Sequence, residues 1–138
     1  MSIQEKAMKN FVEKKYNCCQ AVICAYCEEY GIDDKDIFKL TEGFGLGMGG
    51  LKDTCGAVTG LFMAIGLHNS AGDKSNPLTT KADTYKAIRD AAADFRAKNG
   101  SIYCCELKAI IDGKQVVPCD VCVRTAAEYM DKYIKEAV

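Results

Sequence analysis

The stretch EGFGLGMGGLKDTCGAVTG, Glu42–Gly60, decides the fold class. Five of the eight residues Gly43–Gly50 are glycine, and Cys55 follows shortly after. The spacing in GFGLGMGG matches GxGxxG, a pattern that cradles a pyrophosphate only where a strand leads into a helix within a βαβ unit. Here a short helical pattern ending near Leu40 precedes it, and the phosphate-loop pattern GxxxxGK[ST] is absent. The stretch therefore reads as a loop between helices. Asp53 or Thr54 caps the helix that follows, so Cys55 falls in its first turn.

Working outward, apolar spacing is helical almost everywhere. Ile3, Ala7, Met8 and Phe11 recur at three- and four-residue steps and predict a helix over about Ser2 to Lys14. Asn17 caps a second helix to about Tyr30, closed by Gly31. Asp33 or Asp34 caps a short third helix to about Leu40. The helix carrying Cys55, Val58, Phe62 and Ile65 ends near His68. Gly56 and Gly60 lie four apart on it, against propensity, which points to close approach of another helix or a bound group. After the loop AGDKSNP a long helix begins at Pro77 or just beyond and runs to about Lys98, closed by Asn99-Gly100. Ser101 caps a short helix through Cys104, Cys105 and Leu107. The segment DGK turns the chain, and Pro118 takes the first position of a final helix ending near the C-terminus. No run alternates polar and apolar residues. The expectation is one all-α domain over residues 1–138, a helical bundle of six or seven helices with a Gly-rich loop.

The net charge is −1, from 18 basic and 19 acidic residues mixed along the chain. No basic block or stripe suggests nucleic acid. The segment MSIQEKAMKNFVEKKY carries charges throughout and lacks the apolar core of a signal peptide. No apolar run approaches the roughly 18 residues that span a bilayer. The expected location is the cytoplasm, without membrane insertion. Nine cysteines are then the anomaly. In a reducing compartment such thiols are more often ligands or redox groups than structural bridges.

Their placement carries the argument. Cys18 and Cys19 follow the cap Asn17, Cys55 begins its helix, Cys104 and Cys105 follow Ser101, and Cys119 follows Pro118. A helix start presents unpaired N–H groups and partial positive charge, which favour a thiolate. The expectation is that these starts converge on one electropositive pocket. Backbone N–H groups of Gly47, Gly49, Gly50 and Gly56 are the expected donors to it. Cys24 and Cys27 sit mid-helix among apolar residues and read as packing.

The segments YNCCQAV, TCGAVTG, SIYCCEL and PCDVCVRTAAEYM resemble the C_GCAxxG_C_C family of redox-active proteins over nearly the whole chain. That family is similar in length and has four characteristic cysteines, one of them in a CGAxxG motif, which CGAVTG matches in full. The resemblance implies a mostly helical fold, a redox role and association with transporter genes. It selects Cys18, Cys55, Cys105 and Cys119 as the four cysteines, with Cys19, Cys104 and Cys122 as neighbouring alternatives.

Three chemistries follow. In the first, Cys18, Cys55, Cys105 and Cys119 ligate an iron–sulfur cluster or other metal as an electron-transfer centre, since four cysteines are the usual complement. In the second, the protein is metal-free and exchanges thiols with disulfides. Cys119-Asp120-Val121-Cys122 is a CxxC at a helix start, and Cys18 with Cys55 forms a second exchanging pair. In the third, the cysteines only pack a non-catalytic interaction module. Zinc ranks below iron–sulfur, because Cys24–Cys27 and Cys119–Cys122 are far from the spacing of zinc ribbons. His68 reads as an ordinary residue near a helix C-terminus. The expected partner is a redox protein or small thiol. Tyr129 and Tyr133 are candidate homodimer contacts.

Overall fold

Ser2 and Asn17 open the first two helices in the same way. The Ser2 hydroxyl accepts from Glu5 N–H at 3.0 Å while the Glu5 carboxylate accepts from Ser2 N–H. Asn17 Oδ1 accepts from Gln20 N–H at 2.9 Å and Gln20 Oε1 accepts from Asn17 N–H at 3.1 Å. Each reciprocal pair satisfies two backbone donors that a helix start leaves open. The computed structural model describes the backbone of residues 1–135. Its helices are α1 (Ile3–Val12), α2 (Cys18–Tyr30), α3 (Lys35–Leu40), α4 (Gly45–Met48), α5 (Gly56–Asn69), α6 (Lys81–Asn99), α7 (Cys104–Leu107) and α8 (Cys119–Met130). A π-turn, Asp131–Lys135, extends α8, and the expected helical end beyond it lies outside the described residues. No helix among the described residues is long and apolar enough to cross a membrane.

Among the described residues the chain is all-α apart from one hairpin that the sequence pattern does not reveal. Strands β1 (Ile110–Ile111) and β2 (Lys114–Gln115) pair antiparallel, and both are exposed. Strands this short and solvated show no alternation. The expected DGK turn is there, with Asp112 and Gly113 both at positive φ, 54° and 78°, as a two-residue hairpin turn requires.

Helix α2 runs through the centre. Every residue from Cys18 to Cys27 is buried, so it is enclosed on all sides. Helices α1, α5 and α8 pack around it, and α6 lies across α5 and α8. Val22, Ile23, Leu61, Ile65, Phe95, Val123 and Met130 are among the fully buried side chains. Tyr129 and Tyr133, read above as candidate dimer contacts, are half-buried against the core. Both hydroxyls donate to Asp94 on α6, one to its carbonyl and one to its carboxylate.

Several helix starts sit slightly later than expected. Cys55 itself is the cap residue of α5, Tyr103 that of α7, Pro118 that of α8 and Thr80 that of α6. Asp53 and Thr54 do not cap α5 because their backbone pairs elsewhere. Asp53 O accepts from Cys104 N–H at 2.6 Å, and Thr54 forms a bridge with Tyr103.

The glycine-rich stretch, α4 included, is a tight left-handed turn and not a right-handed helix. Leu46, Gly47, Met48, Gly49 and Gly50 all have positive φ. For Leu46, at φ 52°, that conformation costs about 1–2 kcal/mol. Asn17 Nδ2 ties the turn to α2 by donating to the carbonyls of Thr41 and Glu42.

Two of the three glycines of α5, Gly56 and Gly60, meet α2 backbone to backbone. A Cβ on Gly60 would lie 2.9 Å from Cys19 O and 3.0 Å from Val22 Cβ. A Cβ on Gly56 would lie 2.8 Å from Phe44 O and 3.2 Å from Cys18 Cβ. Gly66, on the same helix, has nothing within 4 Å of that position. Alanine at these sites therefore has opposite effects. Gly66→Ala stabilises by about 0.5–1 kcal/mol through helix propensity. Gly60→Ala destabilises, because overpacking of about 1–3 kcal/mol outweighs the same gain. Urea denaturation followed by circular dichroism measures both. Equal shifts of the same sign would refute the close approach.

Candidate functional site

Backbone pairing between distant loops brings four helix starts together. Cys18 begins α2, Cys55 caps α5, Cys104 begins α7 and Cys119 begins α8. Cys55 N–H donates to Ile102 O at 2.8 Å, and Cys105 N–H to Lys52 O at 3.0 Å. These bonds seat the start of α7 beside that of α5. Val117 N–H donates to Leu107 O at 2.8 Å, which returns the chain from the hairpin and delivers Pro118-Cys119. Gly47 closes the other side. A Cβ there would lie 2.7 Å from Cys104 Cβ and from Asp53 N, so only glycine allows the loop to press this close.

The sulfurs meet two by two. Cys18 faces Cys119, and Cys55 faces Cys122, one turn further along α8, each pair close enough for its thiols to interact. The half-buried Lys108 touches one member of each pair. Its ammonium lies 3.9 Å from Cys122 Sγ and also acts electrostatically on Cys119.

This arrangement splits the thiols into donors and thiolates. The neighbouring Cys18 thiol holds the Cys119 thiol down to about 5, and the Lys108 ammonium adds to the effect against the opposing influence of burial. The Cys122 thiol, the N–H groups of Ala57 and Val58, and Lys108 bring Cys55 down to about 7. As a neutral thiol Cys55 closes no capping bond, but as a thiolate it faces the open N–H groups at the start of α5. Cys18 and Cys122 are pushed up, first by their partners and then by burial. Burial pushes Cys104 up as well, with Lys108 partly opposing and the sulfurs of Cys55 and Cys119 adding. Burial alone would lower Lys108, yet Cys119 and the other nearby thiolates raise it above its ordinary value. Two thiols so close do not both ionise, because like charges repel.

The sequence profile of the C_GCAxxG_C_C family, described as "Putative redox-active protein", matches residues 16–133. The chain belongs to this family. No curated protein and no solved structure matches it.

Of the cysteines selected by resemblance to the C_GCAxxG_C_C family, Cys18, Cys55 and Cys119 lie together in this member, and Cys105 does not. Cys105 is exposed, whereas its neighbour Cys104 is buried and faces the cluster. Adjacent residues on one turn point about 100° apart, so only one can face inward. Two of the expected glycine donors are also engaged elsewhere. Gly49 and Gly50 N–H both donate to Gly45 O, within their own turn. Gly47 and Gly56 provide room: they admit Cys104 and Cys18 at distances a side chain would forbid.

Cys122 was visible in the sequence as the second cysteine of CxxC, but its pairing with Cys55 was not. Lys108 gave no signal among 18 basic residues. Cys24 and Cys27 are buried in α2, and burial raises both thiols. Cys19 is buried too and donates to Met63 Sδ at 3.9 Å. His68 lies near the Tyr30 ring, 6.2 Å between centroids. Among the described residues, no group of three or more His, Cys, Asp or Glu side chains is arranged to hold a metal ion.

The role of Lys108 is open to a direct test. The iodoacetamide reaction of Cys119, read by peptide mass spectrometry, should keep its rate well below pH 8.5 in the native protein, because the thiolate persists until pH falls through its lowered pKa. Lys108→Met should move the midpoint upward by about one to three pH units, and Lys108→Arg should restore part of the difference. Superimposable profiles would remove Lys108 from the site.

Proposed function

We propose that this protein is a metal-free thiol–disulfide redox protein in which Cys119 attacks and Cys18 resolves. The observation that carries the reading is the pairing of sulfurs two by two, with one ammonium against a member of each pair. Such a pairing suits disulfide formation, and Lys108 supplies the positive charge that a reactive thiolate needs.

The chemistry balances without any further group. The Cys119 thiolate attacks one sulfur of a partner disulfide. The partner's S–S bond breaks, a mixed disulfide forms, and the departing thiolate takes up a proton. Cys18 then loses its proton and attacks Cys119 Sγ. The second partner thiol leaves, and a Cys18–Cys119 disulfide remains. Two electrons have passed to the partner.

The inner pair extends the sequence. Cys122, as thiolate, attacks Cys119 Sγ in that disulfide and frees Cys18, and Cys55 attacks Cys122 Sγ and frees Cys119. The outer pair is again a dithiol, and the oxidising equivalents rest on Cys55–Cys122. A redox protein or small dithiol would reduce the protein again. The cytoplasm, where free thiols persist, suits this cycle.

The test is trapping. Disulfide challenge of the reduced native protein should yield an internal disulfide and two released thiols. The double variant Cys18→Ser, Cys122→Ser should accumulate the mixed disulfide on Cys119, and Cys119→Ser should slow thiol release by roughly a hundredfold or more. Full activity of Cys119→Ser would overturn the assignment. So would stoichiometric iron with acid-labile sulfide in protein purified anaerobically, which would favour the iron–sulfur electron-transfer reading.

A further inference from the structure

The outer sulfur pair opens onto a cavity of about 480 Å³. That is within the range of small-ligand pockets, about 300–1,000 Å³. Cys18 and Cys119 line it together with Phe11 of α1 and Leu46 and Gly50 of the glycine-rich turn, and most of its surface is apolar. Glu42 is the one charged residue on its wall among the described residues. Lys108, which faces the same sulfurs, does not line it.

Leu46 is a second sign that the wall is built for contact. It holds a left-handed backbone conformation at φ 52° and is still 60 % exposed. Glycine would sit there without strain, as Gly47 does beside it. Folding thus gains little from this leucine, whereas a ligand in the cavity would gain an apolar surface from it. Chemistry and charge then name the occupant. A sulfur must reach Cys119, its substituent must be apolar and of modest size, and a carboxylate-bearing substituent would meet Glu42 with no cation on the described wall to offset it.

We propose that this cavity receives the uncharged, apolar substituent of a small-molecule disulfide and holds its sulfur against Cys119. The proposal rests on the thiol-exchange reading and specifies its substrate. The bond changes are those already written: the ligand S–S bond breaks, a mixed disulfide with Cys119 forms, and Cys18 closes the internal disulfide.

Two reagents of one reactive type test it. Butyl methanethiosulfonate is neutral and apolar, and 2-sulfonatoethyl methanethiosulfonate is anionic. Each transfers its alkylthio group to a thiolate with release of methanesulfinate. Rates of loss of the free Cys119 thiol are divided by those of a simple thiolate such as 2-mercaptoethanol. The native protein should prefer the butyl reagent by about tenfold or more. Glu42→Gln should raise the anionic rate. Leu46→Asn, a residue that accepts a left-handed backbone more easily, should lower the butyl rate several-fold, with folding checked by circular dichroism.

Equal normalised rates, with Cys18 still closing the disulfide, would refute the cavity and leave the exchange reading intact. The same result would point to a protein partner that needs no pocket. A mixed disulfide that persists in the native protein, or a Cys119 inert to both reagents, would refute the exchange reading and the cavity proposal with it.

Discussion

The site depends on how closely α5 lies against α2. Where Gly56 and Gly60 face the first turns of α2, backbone meets backbone, and one added carbon would be 3.2 Å from Cys19 N or 2.9 Å from Cys19 O. This approach brings the start of α5 to the start of α2, and so Cys55 into the neighbourhood of Cys18. The glycines carry a cost in helix propensity of about 1 kcal/mol each. Burial of α2 against its neighbours offsets it. Gly47 repeats the device at Cys104, from a turn whose left-handed backbone only glycine adopts freely.

Once the sulfurs are gathered, charge fixes their states. Within each close pair one thiol is held down and its partner pushed up, because a second thiolate so near would be repelled. Partial positive charge at the helix starts and the Lys108 ammonium hold the remaining thiolate. The dependence is mutual. Lys108 is half-buried and loses hydration, and it stays protonated because thiolates face it. The lysine and the sulfurs therefore form one electrostatic unit, in which removal of either side perturbs the other.

The division between outer and inner pairs follows from the position of α8. Cys119 is its first residue, partly exposed beside the cavity, while Cys122 sits one turn deeper and is buried. A single helical turn thus separates a sulfur that can meet another molecule from one that meets only the interior. The glycine-rich turn forms a wall of the opening and, through Gly47, also supports Cys104 from behind.

Most helices were legible in the chain itself. Ser2, Asn17, Gly31 and Gly100 act at helix ends through their own side chains or backbone freedom, and those are local properties. The cysteines at helix starts were legible for the same reason. The hairpin at Asp112-Gly113 was readable only as a turn, since its strands face solvent on both sides. The choice of Cys104 over Cys105, the pairing of Cys122 with Cys55 and the part played by Lys108 were not legible. Local order determined which elements form and where their positive ends lie. Tertiary packing alone decided which sulfurs pair and which cation faces them, because those contacts join segments that have no fixed distance until the backbones close on one another.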